Sequence, residues 1–176
     1  MSGTISPEDI IATVTQATED LFSTMLNLPL EKLEPHTATS EPPGTDGVVA
    51  LVGIGGSWTG SGRIACDKQA ACKLAGALLM SSYPEVDEEV LDAMAEVANM
   101  IIGNVKTNFE TQLGPLGLSV PTVVFGRNYH TRSAGVQNWM VIPFRTGEDH
   151  IEIRFCLMPS QTSQSRIERL RPQVVA

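Results

Sequence analysis

The sequence is poor in the residues that build disulfide frameworks and metal centres. Its three cysteines are an odd number and include no CxxC pair, so neither a disulfide scaffold nor a zinc site is predicted. The three histidines are scattered, without the HxxxH or HExxH spacing that places two imidazoles on one metal. We therefore expect buried, reduced thiols at Cys66, Cys72 and Cys156, and no metal site.

Long apolar runs and an excess of basic residues are also missing. No stretch of about 18 apolar residues could span a bilayer, and the N-terminus lacks the basic start and apolar core of a secretory signal, so a cytoplasmic protein without membrane association is expected. Twelve Lys and Arg stand against twenty Asp and Glu, a net charge of -8. This balance argues against nucleic acid or anionic lipid as the main partner and favours a protein or a small molecule.

The distribution of apolar residues predicts an α+β fold with a largely antiparallel sheet and three main helices. Length and a hydrophobic content of 42% fit one domain spanning residues 1–176. The segment 160–176 is compatible with a loosely held tail or with a short helix, and both remain open. The predicted elements are a helix from Pro7 to about Leu26, a loop over 31–46, a hairpin over 47–66, helices over 67–83 and 87–109, and strands over 118–125, 135–144 and 150–157.

The third predicted helix carries a polar stripe. At about 100° per residue, Asp92, Glu96 and Asn99 fall within roughly 60° of one another on the helical wheel, and Gly103 and Lys106 extend the same line. Apolar residues cover most of the opposite arc: Leu91, Met94, Ala95, Val97, Ala98, Ile101, Ile102, Val105 and Phe109. One side of this helix is predicted to face the core and the other to be presented.

A solvated helix face without function is the ordinary explanation of such a stripe. Two residues argue against it, because Asn99 is a poor helix former and Gly103 costs the helix roughly 1 kcal/mol relative to alanine. A glycine in line with Glu96 and Asn99 permits another surface to approach closely. The stripe is therefore a candidate binding surface, with Gly103 as a contact residue.

The same residues resemble the signature of the bacterial chemotaxis phosphatases CheC, CheX and FliY. That signature is an acid or serine, three residues, Glu, two residues, Asn, and a later proline, which Asp92, Glu96, Asn99 and Pro121 match. The spacer before Pro121 is one residue shorter than is usual in the family. The resemblance is greatest to CheX, which carries one such motif, and it covers most of the chain.

The resemblance implies hydrolysis of the aspartyl phosphate of a CheY-type response regulator receiver. Asn99 has no useful basicity, but its carboxamide can hold a water in line with the phosphoryl group. Glu96 would pair with a cationic side chain of the receiver, and Asp92 would support that contact at the rim. The receiver would supply Mg²⁺, so the chain needs no cofactor of its own.

Family membership would also imply a homodimer, formed by pairing of sheet edges in the β-rich C-terminal half. Two rival interpretations remain. One is a non-catalytic module of the same fold that binds receivers or flagellar switch proteins. The other is an unrelated α+β enzyme in which Glu96 is a general base, which predicts a deep cavity beside that residue.

Overall fold

The computed structural model describes residues 4–42, 45–132 and 138–161. Three helices and eight strands form in the order α1, β1 to β4, α2, α3, β5 to β8. The helices are α1 (Pro7–Leu21), extended by a π-helical turn (Phe22–Leu26), α2 (Lys68–Leu79) and α3 (Glu88–Leu113). The strands are β1 (Glu31–Lys32), β2 (His36–Ala38), β3 (Thr45–Gly56), β4 (Trp58–Cys66), β5 (Leu116–Leu118), β6 (Thr122–Tyr129), β7 (Trp139–Thr146) and β8 (Asp149–Pro159).

The α+β class with a largely antiparallel sheet is confirmed. The order across the sheet is β1-β7-β8-β4-β3-β5, with β2 also on β7 and β6 also on β3, and all of these pairs are antiparallel. The main core lies between one face of the sheet and the helices. On β3 the residues that face this core are Val48, Ala50, Val52 and Ile54.

Each helix begins at a capping residue. Ser6 and Asp9 form a reciprocal capping box at α1, as the sequence predicts, and Asp67 and Asp87 accept hydrogen bonds from backbone amides in the first turns of α2 and α3. The predicted end of α2 near residue 83 is wrong, because Met80 adopts a left-handed conformation (φ 52°) and ends the helix earlier.

The third helix is longer than predicted. Its apolar face continues to the buried Leu113, and Gly114, with φ 80°, then ends it. The helix therefore extends about one turn beyond its predicted end at Phe109. This extra turn brings the end of α3 to the β3–β4 hairpin, where the Ser57 hydroxyl donates to the Leu113 carbonyl at 2.6 Å.

Two strand predictions are corrected. The predicted loop over 31–46 contains β1 and β2, which are too short to show a periodicity but pair with the edge of β7. The predicted strand over 118–125 is divided into β5 and β6 by an irregularity beside the stripe. Two predictions fall partly outside the described residues: the strand over 135–144, for its part before residue 138, and the tail or short helix over 160–176, from residue 162 onward. The single domain spanning 1–176 stays a prediction.

Burial of the thiols is only partly as expected. Cys66 and Cys156 are buried, whereas Cys72 is half-buried on α2. Burial raises the pKa of Cys66 to about 12 and that of Cys156 to about 11. Among the described helices, none is long and apolar enough to cross a membrane.

Candidate functional site

The polar stripe lies on the solvent side of α3. Val97, Ala98, Ile101 and Val105 on the opposite side are buried in the main core, so the packing fixes how the helix is rotated. Asp92 and Glu96 are exposed, and Asn99, Gly103 and Lys106 are half-buried. The structure therefore presents the predicted residues together on one accessible face of α3.

The three polar side chains of the predicted motif have no internal partners among the residues that the structure describes. In the portion of the chain that the structure describes, no hydrogen bond or ion pair involves the side chains of Asp92, Glu96 or Asn99. Carboxylate and carboxamide groups at such positions are hydrogen-bonded to solvent and can exchange that water for a partner's groups. These three side chains therefore add no hydrogen bond or ion pair to the described part of the fold.

Lys106, at the C-terminal end of the stripe, has a partner within the chain. Lys106 Nζ lies 2.9 Å from Glu110 Oε1, and the same oxygen accepts the backbone N–H of Leu116 at 2.9 Å. The Leu116 amide and then the Lys106 ammonium lower the pKa of the Glu110 carboxyl below its ordinary value. Glu110 thus joins α3 to the start of β5.

Gly103 lies against the chain's own β5. A Cβ added at Gly103 would be 3.7 Å from Leu118 Cδ1, an ordinary contact distance. At least part of the close approach that this glycine permits is therefore made inside the molecule. Its role as a partner contact stays a prediction.

The sheet edge beside the stripe is irregular. Leu118 at the end of β5 pairs with Ile54, and Thr122 at the start of β6 pairs with Leu51. Three residues lie between these pairs on the edge, against two on β3. One extra residue in an antiparallel pair is a β-bulge.

The bulge contains the predicted motif proline. Ser119 N donates to the Gly53 carbonyl at 2.9 Å, and Gly53 N donates to Ser119 Oγ at 2.8 Å. Val120 and Pro121 are then left opposite the single residue Val52. Proline has no N–H to contribute to a ladder, and a bulge on an edge strand is one of the few sheet positions that accept it.

The directions in which α3 and the strand edge run indicate that Pro121 lies toward Glu96 and Asn99. The Glu110–Leu116 and Gly103–Leu118 contacts show that α3 and the strand edge formed by β5 and β6 run in opposite directions. Asn99 lies about 6 Å beyond Gly103 along the helix at 1.5 Å per residue. Two strand residues beyond Leu118 span about 6.6 Å at 3.3 Å per residue, so the bulge is expected near the level of the helical turn that contains Glu96 and Asn99.

A cavity of about 1280 Å³ opens elsewhere on the molecule. Its walls come from α2, the turn that follows α2, and β6, and they include Cys72, Lys73, Tyr83 and Phe125. None of the stripe residues lines it. The cavity that a small-molecule enzyme would need beside Glu96 is not this one, and Glu96 itself is exposed. Within the described ranges, no three His, Cys, Asp or Glu side chains converge to hold a metal ion.

Sequence reasoning missed a buried charged cluster on the other face of the sheet. Arg63 and Arg154 are buried neighbours on β4 and β8. Arg63 pairs with Glu41 and lies 5.3 Å from the ring centroid of Trp139, while Arg154 donates to the Ser40 carbonyl at 3.2 Å. Burial is the main cause that lowers the Arg63 pKa, and Glu41 opposes it. The cluster holds the segment after β2 over this face. No local pattern marked it, because Ile64, Ala65 and Cys66 follow Arg63 without alternation.

Comparison with known sequences points to one family. The model of the family described as chemotaxis phosphatase CheX matches residues 48–145, a span that contains α3 and the bulge. A curated protein, the CheY-P phosphatase CheX of Thermotoga maritima, is 29% identical over 111 residues, which cover 61% of this chain and 72% of that protein.

Solved structures share the fold. The chemotaxis protein CheX from Desulfovibrio desulfuricans is 26% identical, with a TM-score of 0.74 over 85% of this chain and 99% of that chain. The structure of a CheX-CheY-BeF3-Mg²⁺ complex from Borrelia burgdorferi matches at 24% identity, with a TM-score of 0.70 over 85% of this chain and 97% of that chain. These similarities bear out the resemblance that the stripe and the proline suggest.

Proposed function

Since this chain belongs to the chemotaxis phosphatase CheX family, and is therefore a phosphatase, we propose that its substrate is the aspartyl phosphate of a CheY-type receiver protein. One observation carries the proposal: Asn99 presents a carboxamide that has no hydrogen-bond partner among the described residues, one turn from the exposed Glu96, on a helix whose other face is buried in the core. The names of the Thermotoga and Borrelia relatives support a CheY-type partner.

In this proposal Asn99 positions the attacking water. The carboxamide oxygen accepts a hydrogen bond from the water and holds it in line with the phosphorus–oxygen bond to the receiver's aspartate. The water forms the new bond to phosphorus, the aspartate carboxylate leaves with the electron pair of the broken bond, and inorganic phosphate results. No strong base is required, because phosphoryl transfer depends mainly on positioning and charge stabilisation.

Glu96 docks the helix on the receiver. Its exposed carboxylate forms a charge-assisted hydrogen bond with a cationic side chain beside the phosphorylated aspartate. Asp92, one turn earlier, adds negative charge at the rim, and Gly103 leaves room for the receiver on the other side of Asn99. The receiver brings Mg²⁺, which neutralises the phosphoryl oxygens, so this chain supplies no cofactor.

The chain is also proposed to act as a cytoplasmic homodimer. The outer edge of β6 has no strand beside it among the described residues, and Phe125 on this strand is exposed. Such an edge is a template for pairing with a second copy. Light scattering at micromolar concentration tests this, and a mass that stays at 18.9 kDa would rule the dimer out.

The test of the substrate compares a phosphorylated receiver with a small acyl phosphate. Purified phosphoryl-receivers from the same organism are followed with and without the chain, and free acetyl phosphate is the matched control. Because half of the proposed site belongs to the receiver, the chain should accelerate decay of at least one phosphoryl-receiver and leave acetyl phosphate unchanged.

Two other results would contradict the proposal. Acceleration of both decays would indicate a self-contained active site. Receiver binding without acceleration would favour the alternative, a non-catalytic module that binds receivers or flagellar switch proteins.

A further inference from the structure

Val120 is an exposed apolar residue of the bulge, with 85% of its surface accessible. A single exposed apolar residue is common on protein surfaces and needs no function. Here the position is unusual, because the register places Val120 opposite the buried Val52, whose side chain faces the helices. By the alternation of the sheet, this side of the edge is where α3 packs.

The stripe itself explains why α3 does not cover Val120. At this level the helix carries Asn99 and Gly103, and neither has an apolar side chain to lay over it. The glycine accommodates Leu118, the preceding residue on the same side of the edge. Val120 is therefore exposed to solvent, and the spacings along α3 and along the strand edge put it at about the level of Asn99.

The backbone around Val120 is held on both sides. Ser119 is fixed by two hydrogen bonds to Gly53, and its hydroxyl also donates to the Val120 carbonyl at 3.0 Å. On the other side Pro121 has its φ locked by its ring. The valine side chain is itself stiff, because β-branching restricts χ1. A contact made by such a residue loses little conformational entropy on binding.

We propose that Val120 is an apolar docking contact for the receiver, seated against an apolar patch at the rim of the receiver's phosphorylation site. The inference rests on the proposed function, and it adds an apolar anchor to a surface that is otherwise polar. Glu96 and Val120 then flank Asn99 from the helix and from the strand edge. Two anchors that lie on different elements fix the orientation of a docked partner, whereas one charge pair alone leaves it free to rotate.

The proposal concerns affinity and not the chemical step. Val120 carries no group that could act on phosphate or water, so its loss should raise KM for the phosphoryl-receiver and leave kcat within about twofold. Removal of a valine from a buried contact corresponds to about a tenfold change in KM. We expect this change in Val120→Ser, and KM close to the parent value in Val120→Ile.

Met158→Ser is the matched control. Met158 is another partly exposed apolar residue, but it lies on β8 on the sheet face that points away from the helices. It should leave KM unchanged. Thermal unfolding of each variant accompanies the kinetics, and Val120→Ser should not lower Tm, since the side chain is exposed.

Direct binding separates this inference from the proposed function. The receiver loaded with beryllofluoride and Mg²⁺ is titrated with the parent and with Val120→Ser. Weaker binding of the variant supports the contact, even if the parent chain fails to accelerate decay of the phosphoryl-receiver and the proposed function falls. The proposal is overturned by equal KM and equal affinity for Val120→Ser and Met158→Ser, by a loss confined to kcat, or by no binding of the loaded receiver to the parent chain.

Discussion

Two residues of the proposed site, Asn99 and Glu96, carry different tasks: Asn99 positions the water and Glu96 docks the receiver. Asn99 is half-buried and Glu96 is exposed, and these environments suit positioning and docking respectively. A group that holds a water must itself be held, and burial of part of its side chain restricts its rotamers. A group that finds a partner's charge gains from reaching into solvent.

Glu96→Ala should weaken receiver binding more than it slows turnover. We expect KM for the phosphoryl-receiver to rise about tenfold, since a hydrogen bond to a charged group contributes about 1.5–3 kcal/mol. The rate of the parent at low receiver concentration should also fall with added salt, and that of the variant less so. Steady-state kinetics at 50 and 300 mM NaCl, with Glu148→Ala on the distant β7–β8 turn as control, test this. An unchanged KM in Glu96→Ala would remove the docking role.

Gly103→Ala distinguishes internal packing from an external contact. The added Cβ would meet Leu118 at an ordinary distance, and alanine is favoured over glycine in a helix by about 1 kcal/mol. Tm should therefore rise or stay constant. If another surface approaches this glycine, activity should still fall. Gly103→Leu is a poorer test, because its larger side chain would press on the chain's own β5. If Gly103→Ala is stable and fully active, Gly103 does not contact the receiver.

At the scale of elements, the helices were predictable and the sheet edges were not. Ser6, Asp67 and Asp87 mark helix starts locally, and the apolar face of α3 repeats over many turns. The positions of β1 and β2 depend on the edge of β7, more than a hundred residues away. No local pattern encodes such a pairing, so the sequence analysis took this segment for a loop.

The link between α3 and β5 depends on the ionised Glu110. Its pKa is below the ordinary 4.5 because the charged form accepts the Leu116 N–H and pairs with Lys106. A lowered folded-state pKa means that the stabilisation is present above pH 4.5 and is lost as pH falls through the folded value. Glu110→Gln should therefore lower Tm at pH 7, and the difference from the parent should shrink at pH 3.5. Thermal unfolding at both pH values measures it, and a constant difference would contradict the role of the charge.

At the scale of the whole molecule, the core protects two of the three thiols. The pKa values of Cys66 and Cys156, about 12 and about 11, leave almost no thiolate at pH 8. Cys72 is half-buried. An aromatic disulfide reagent should modify one thiol quickly in the native protein and the other two only in denaturant. Rapid modification of all three without denaturant would show that the sheet opens readily.

The candidate site was predictable only where it lies on one element. Asp92, Glu96, Asn99 and Gly103 share a helix face, and helical periodicity brings them together without knowledge of the fold. Val120 was not identified, because its place beside Asn99 follows from the register of β5 and β6 on β3. A register is set by hydrogen bonds between distant segments, whereas the local pattern over 118–125 predicts one continuous strand.

The proposed function depends above all on Asn99 acting on the chemical step. The measurement is kcat and KM for hydrolysis of the phosphoryl-receiver by the parent, Asn99→Ala and Asn104→Ala, an exposed asparagine on the same helix outside the stripe. We predict that Asn99→Ala loses at least about a hundredfold in kcat, keeps its KM within about threefold and unfolds within about 1 kcal/mol of the parent, while Asn104→Ala matches the parent. An Asn99→Ala variant that retains the parent's kcat would contradict the account.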